Sequence, residues 1–502
     1  MRRTESAVRV SSVPRGCVAR SARRALHCFA RKPVIIAFKT RIAIITDMFR
    51  FSRHHMAKSV DMTQGSIAGN ILSFALPLFC GNIFQQLYNT VDSIVVGNFV
   101  GKEALAAVGS VDSVIFTFIG FFIGMSTGAG VVISQYFGAK DEKNVSRAVH
   151  TTIVFTFVLS VLCTVSSLLA LPLFLKLLAI PSDVYDEAHV YLQLYFAGVS
   201  GLLFYNMGSG ILRAVGDSRR PLFFLLFSSI MNIVLDLLFV AVFKMGVAGA
   251  AWATIISQGL SAVLVIMVLM REKEMYRLCI KKLKLDTHML RNIVKIGFPS
   301  GLRMMIVAFS NVFVQSYINA FGSAAMAGWS SYCKIDKICI LPSQSIDLAI
   351  TTFSGQNLGA GNVDRMKKGT RTALLMNWAV SFVLIVISLI FAEKLVACFN
   401  QDADVLRFGT MFVRYLMPFY MVLSVNSTFS GSLQGAGNTK IPVAIMMGSF
   451  IVVRQIYLFV ISRVTTSVLW IVLGYPVGWC VSSLLMMIYY HHADLEHYRI
   501  SR

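Results

Sequence analysis

Twelve stretches of this chain are apolar over about twenty residues, and that run length constrains the fold more than any motif. They read as 67–97, 110–138, 148–171, 187–211, 221–243, 247–270, 290–321, 327–358, 370–392, 404–435, 441–462 and 467–490. A helix needs about twenty such residues to cross a hydrocarbon core of about 30 Å, where every backbone polar group must be satisfied within the segment. Only 14% of the 502 residues are charged, too few to clothe a soluble surface of that size. Pro77, Gly97, Gly120, Gly124, Pro299, Pro342 and Pro418 fall inside the runs. They would break soluble helices, but membrane helices tolerate them. The expected fold is an all-α polytopic membrane protein of twelve transmembrane helices.

The chain also resembles itself at an offset of 221 residues. Ser209 to Pro221, with its RAVGDSRRP core, aligns with Ser430 to Pro442, with QGAGNTKIP. Gln135, Gly138 and Ala139 fall on Gln356, Gly359 and Ala360, and Gly101, Ala104 and Ala106 on Gly322, Ala325 and Ala327. Six spans per half make both halves enter the membrane in the same direction. A pseudo-two-fold axis then runs along the membrane normal, with the substrate path between the lobes. The expected lobes are 61–275 and 276–502. Gly216-Asp217 and Gly437-Asn438 are turn chemistry, and the following prolines can start the next helix. A tight hairpin is the simpler reading of each loop, ahead of a hinge.

Basic residues orient the chain. The loop 271–295 holds eight Lys or Arg, whereas all loops on the other side hold six: Lys102, Lys176, Lys244, Lys394, Arg407 and Arg463. The positive-inside rule places both termini in the cytosol, which an even number of spans requires. The formal charge of +22 is concentrated at the start: residues 1–60 carry fourteen basic and two acidic side chains. That extension reads as a transit peptide, a basic tail on anionic lipid, or sequence upstream of a true start at Met48, Met56 or Met62. Nucleic-acid binding is not expected. The nine cysteines form no CxxC pair, which argues against a disulfide framework.

Charge inside the spans is the functional signal. The N-terminal six spans hold no Lys or Arg in their interiors, yet Asp92 and Asp236 lie deep within two of them. Intramembrane acids default to functional sites. With no basic partner in that half, a carboxylate there needs a raised proton affinity or a bound cation. Tyr88 and Asp92, and Asn232 and Asp236, are i, i+4 pairs that share a helical face. Together with the Thr254 hydroxyl they offer hard oxygen ligands for Na⁺ or a net for a shared proton. The plainer reading makes Asn232 and Asp236 interhelical glue. Gln85, Gln86 and Asn89 give the first span a wet face suited to a substrate cavity. Pro77 removes a backbone bond there and invites a bend, by which protonation of Asp92 would reshape the cavity.

The C-terminal half carries Arg303, Lys334, Asp336, Lys337, Asp347, Arg414 and Arg454 within or near its spans. Mixed signs point first to internal ion pairs. The alternative is substrate contact, through Lys334 and Lys337 to an anion or through Asp336 and Asp347 to a cation. No Ser/His/Asp set, HExxH, phosphate loop or nucleotide motif is present, so neither an enzyme nor an ATP-driven pump is expected.

The order and spacing of several motifs resemble the multidrug and toxic compound extrusion (MATE) transporters. They are Pro77 with Val91-Asp92 and Gly97, Gln135 and Gly138, the paired RAVGDSRRP and QGAGNTKIP loops, and Asn232-Ile233-Val234-Leu235-Asp236 followed by Gly246-Val247-Ala248-Gly249. The resemblance implies export of amphipathic, often cationic compounds against inward H⁺ or Na⁺, with no cofactor. It places the chain near the DinF-like branch, whose cation site maps onto Tyr88, Asp92, Asn232, Asp236 and Thr254. Val307 stands where another branch carries an acid. The resemblance implies a monomer in the inner (plasma) membrane whose partners are small molecules and lipid. A flippase for lipid-linked precursors is the alternative, and an uncoupled channel a further one.

Overall fold

The computed structural model describes residues 60–500, apart from 179, 183 and 466. Apart from Val60, the basic extension expected over 1–60 lies outside the described residues.

The helices follow the apolar runs. The first three are Ile67–Phe99, Lys102–Gly138 and Glu142–Leu177. The fourth passage is Tyr185–Ala197 with Val199–Ala214, and the fifth is Arg219–Asp236 continued by a π-helical turn, Leu237–Val242. The sixth is Gly246–Arg271. The second half comprises Thr287–Asn319, an eighth passage of Ser323–Cys339 with Leu341–Gly359, and Val363–Ile390. The tenth is Ala403–Leu416 with Tyr420–Gly435. The eleventh is Lys440–Met446 and Arg454–Val464 around a second π-helical turn, Met447–Val453, and the twelfth is Val468–Val472 with Gly474–His492.

Among the described residues, ten of these twelve passages are long and apolar enough to cross a membrane. The fourth and eighth fall short. Leu341–Gly359 carries Asp347, Gln356 and Asn357, yet most of its residues are buried. Hydropathy measures fitness for lipid, and a helix held inside the bundle does not need it. The prolines behave as membrane helices allow: Pro77 and Pro299 lie within unbroken helices. Pro342 opens a new helix, and Pro418 sits in the 3₁₀ turn that joins the two pieces of the tenth. The paired loops are turns of one kind, with Gly216 at φ +87° and Gly437 at φ +88°, a region that glycine enters without penalty.

The second helix packs on the seventh along a glycine seam. A Cβ on Gly124 would lie 2.1 Å from Gly301 N, and one on Gly128 would lie 2.4 Å from Gly297 Cα. Both pairs have the four-residue spacing that lets membrane helices bring their backbones together.

The loop between the halves is fastened to the first of them. Cys279 N donates to His150 Nε2 at 3.0 Å and Asp286 N to Thr151 Oγ1 at 3.2 Å. Accepting at Nε2 leaves the proton on the His150 Nδ1, which faces the Ser146 carbonyl at 2.6 Å. Arg220 pairs with Asp217 and Glu272 and donates to the Tyr276 hydroxyl at 3.2 Å. Burial pushes the Tyr276 phenol up to about 12.

Candidate functional site

The first helix packs on the fifth, and the fifth on the sixth, which brings the five oxygen-bearing residues of the N-terminal half into one neighbourhood. Asp236 ends the regular part of the fifth helix, immediately before its π-helical turn. A π turn re-aims the residues beside it and often marks a functional position. Asn232 lies one turn earlier and donates from Nδ2 to Thr254 Oγ1 at 3.5 Å, the long limit of a hydrogen bond. Asp236 is 0% exposed, Asn232 2% and Thr254 8%. The Asp92 carboxyl lies within reach of Asp236, and Tyr88 lies within charge range of both acids.

This neighbourhood is rich in acceptors and poor in donors. Both carboxylate oxygens of Asp236 and the Asn232 Oδ1 are buried without a hydrogen-bond donor. The two ion pairs found among the described residues both belong to Arg220, so no lysine or arginine neutralises Asp236 there. A buried carboxylate in that state is costly by several kcal/mol, and a second acid beside it raises the cost. One proton shared between Asp92 and Asp236 would supply the missing donor. A Na⁺ ion held by the same oxygens would supply the missing charge. Thr254→Val keeps the volume and removes the hydroxyl. Should Na⁺ or H⁺ occupy these oxygens, the change is expected to raise the half-saturating concentration of that ion about tenfold, in line with losing one hydrogen bond to a charged site, and ion titration of the purified protein measures this.

The wet face of the first helix opens toward the other half. Asn82 Nδ2 donates to Ser345 Oγ at 3.4 Å across the halves. Gln85, Gln86 and Asn89 continue that stripe at helical spacing toward Asp92. Gln85 and Asn89 are exposed and Gln86 is half-buried. Pro77 lies two turns before Gln85 within an unbroken helix.

Lys334, Asp336 and Lys337 are placed elsewhere. They lie on Ser323–Cys339, which packs on Ala403–Leu416, whereas the first helix packs on Leu341–Gly359. Lys334 Nζ stands 5.2 Å from the centre of the Phe399 ring. The ion pairs expected of the C-terminal charges do not form among the described residues. Arg303 and Asp347 lie within charge range of each other without a direct ion pair, and neutral groups bond to both. Arg303 donates to Ser430 Oγ at 2.8 Å and Gln434 Oε1 at 3.4 Å, and Asp347 accepts from Asn377 Nδ2 at 3.3 Å. Arg454 is 2% exposed, bonded to Ser310 and set over the Tyr475 ring at 4.6 Å. A ring face and a hydroxyl stand in for an acid beside this guanidinium, while its Nε is buried without an acceptor. Residue spacing alone does not reveal such partners.

The MatE family model matches the chain twice, over residues 77–238 and 299–460. The two matches open on Pro77 and Pro299 and repeat the internal duplication. The probable multidrug resistance protein YpnP of Bacillus subtilis (strain 168) is 29% identical over 440 residues, covering 87% of this chain and 97% of that protein. The multidrug export protein MepA of Staphylococcus aureus (strain MSSA476) is 23% identical over 424 residues, covering 84% and 93%. Among solved structures, the crystal structure of MATE in the bent conformation superposes with a TM-score of 0.82 at 23% identity, over 88% of this chain and 98% of that one. A MOP superfamily transporter from Pyrococcus furiosus gives 0.83 at 23% identity, over 88% and 99%.

Proposed function

The chain belongs to the MatE family of membrane transporters, and on that premise we propose that it exports small amphipathic organic compounds, many of them cationic, in exchange for inward H⁺ or Na⁺. The observation that carries the coupling is the set of buried acceptor oxygens on Asp236 and Asn232 beside Asp92. Such a set is stable only with an added positive charge. That charge can arrive from one side of the membrane and leave to the other as the halves rock. A site that binds its ion with different affinity in two states converts an ion gradient into work.

The drug reading rests on the relatives, whose names are those of multidrug resistance and export proteins. Those names give no support to the flippase alternative. The stripe from Gln85 to Asn89 is the proposed wall of the substrate path, since it is polar, open and continuous with the acid site. Orientation follows from the basic loops, with both termini in the cytosol of a cell whose plasma membrane holds the protein.

The test uses the purified protein in proteoliposomes loaded with a fluorescent organic cation. A pH gradient and a sodium gradient are imposed separately, without ATP. One of them is expected to accelerate dye movement against its concentration gradient at least tenfold. Dye flux that ignores both gradients would remove the exchange mechanism and leave a passive pore.

A further inference from the structure

Two buried glutamines tie the halves together at one face, each in the same manner. Gln135 lies near the end of the second helix and Gln356 near the end of the eighth. They are repeat partners, and each is 0% exposed. Gln135 Nε2 donates to the carbonyl of Gly435, the last residue of the tenth helix, at 3.2 Å. Gln356 Nε2 donates to the carbonyl of Ala214, the last residue of the fourth, at 2.9 Å. A helix leaves its last four carbonyls without intrahelical partners. Here each is capped by a side chain from the opposite half.

The other end of each amide is used as well. Gln135 Oε1 accepts from the backbone N–H of Ile500 at 2.8 Å, and Gln356 Oε1 from that of Met62 at 2.9 Å. A flipped amide would set oxygen against carbonyl and NH₂ against N–H at both sites, so the partners fix its orientation. Beside the amides the backbones touch. A Cβ on Gly138 would stand 1.9 Å from the Gln356 carbonyl oxygen, and one on Gly359 would stand 1.9 Å from that of Gln135. Met62, itself 0% exposed, presents its carbonyl to Asn357 Nδ2 at 3.2 Å and to Arg365. Arg365 also holds the carbonyls of Gln64 and Gly65, each at 2.9 Å. The residues ahead of the first helix are thus fastened to the second half, and Ile500, beyond the twelfth, to the first.

We propose that Gln135 and Gln356 are the positioning residues of the closed state at this face, a paired latch whose keepers are the backbone N–H groups of Met62 and Ile500. Alternating access requires the face that carries both terminal segments to open once in each cycle. Opening parts the glutamines from the helix ends they cap, and water takes over all the freed groups at once. Closed and open states then exchange hydrogen bonds like for like, which suits a contact that must be firm and reversible. The latch acts on the equilibrium between the two states and does not depend on which residues carry the coupling ion.

Hydrogen exchange on the full-length protein in lipid nanodiscs tests this. Gln135→Met and Gln356→Met keep the side-chain volume and remove the bonds, while Ile500→Pro removes only one N–H. In the double methionine variant, peptides covering 135–141, 356–362 and 435–440 are expected to exchange at least tenfold faster. Peptides at the opposite face, 98–103 and 319–324, should exchange more slowly as the population moves to the other state. Ile500→Pro should reproduce part of the Gln135→Met effect. Faster exchange at both faces would mean only a loosened fold, and unchanged exchange at both would mean the amides hold nothing; either result overturns the latch. Failure of gradient-driven transport with the exchange pattern intact would instead strike the coupling site.

Discussion

Asp236→Asn is expected to leave the protein folded and at least as heat-stable as the wild type, while gradient-driven efflux falls about 100-fold. The stability follows from burial: Asp236 is 0% exposed and its oxygens meet no donor, so removing its charge removes a desolvation cost. The loss of transport follows from linkage. Asparagine imitates a carboxyl that never releases its proton. An ion with equal affinity for two states shifts nothing between them, however tightly it binds. The figure corresponds to the upper part of the coupling energies of about 1–3 kcal/mol found for linked sites. Dye efflux under an imposed gradient and a thermal melt of the same preparation measure both halves of the expectation. Wild-type efflux in this variant would end the claim that Asp236 carries the coupling ion.

Gly128→Ala is expected to damage the contact between the second and seventh helices. The added carbon would lie 2.4 Å from Gly297 Cα and 2.7 Å from the Ile293 carbonyl. Both are backbone atoms that cannot swing aside, so the second and seventh helices must separate by more than an ångström. Overpacking of this kind costs about 1–3 kcal/mol, and the seam loses its close van der Waals contact as well. The midpoint of thermal inactivation should fall by roughly 1–3 °C. Gly259→Ala is the control: nothing lies within 4 Å of its added carbon, and its midpoint should stay close to the wild type. Equal midpoints for the two variants would show that the seam contributes nothing.

Much of the architecture was legible because lipid imposes a length. All twelve apolar runs became helical passages, although the fourth and eighth are less apolar than the other ten. Asp92 and Asp236 stood out as acids in spans whose interiors hold no Lys or Arg, and their proximity followed from the family pattern. The partners of Arg303 and Arg454 were not legible. Mixed signs suggested ion pairs, but pairing depends on which helical faces meet, and those faces turned out to carry serine, glutamine and aromatic rings. Gln135 and Gln356 were visible as marks of duplication, yet nothing local to either residue says that it reaches a helix end in the opposite half. The glycines at 124, 128, 297 and 301 carried a readable spacing, although the spacing does not name the helix each pair would meet.

The seventh helix has two allegiances. Its opening turns, at Met289, Ile293 and Ile296, are packed in one core with residues of the second and third helices. From Arg303 onward it is bonded to the tenth helix, and at Ser310 to the carbonyl of Phe450 in the eleventh. The inter-half loop that leads into it is itself secured to His150 and Thr151, so it offers little slack. Any swing of one lobe against the other must therefore be absorbed within this single rod. Pro299 lies where the two attachments overlap, beside Gly297 and Gly301 of the seam, and deprives the backbone of one rung. The rod becomes a lever arm shared by both lobes, with its fulcrum where the ladder is weakest.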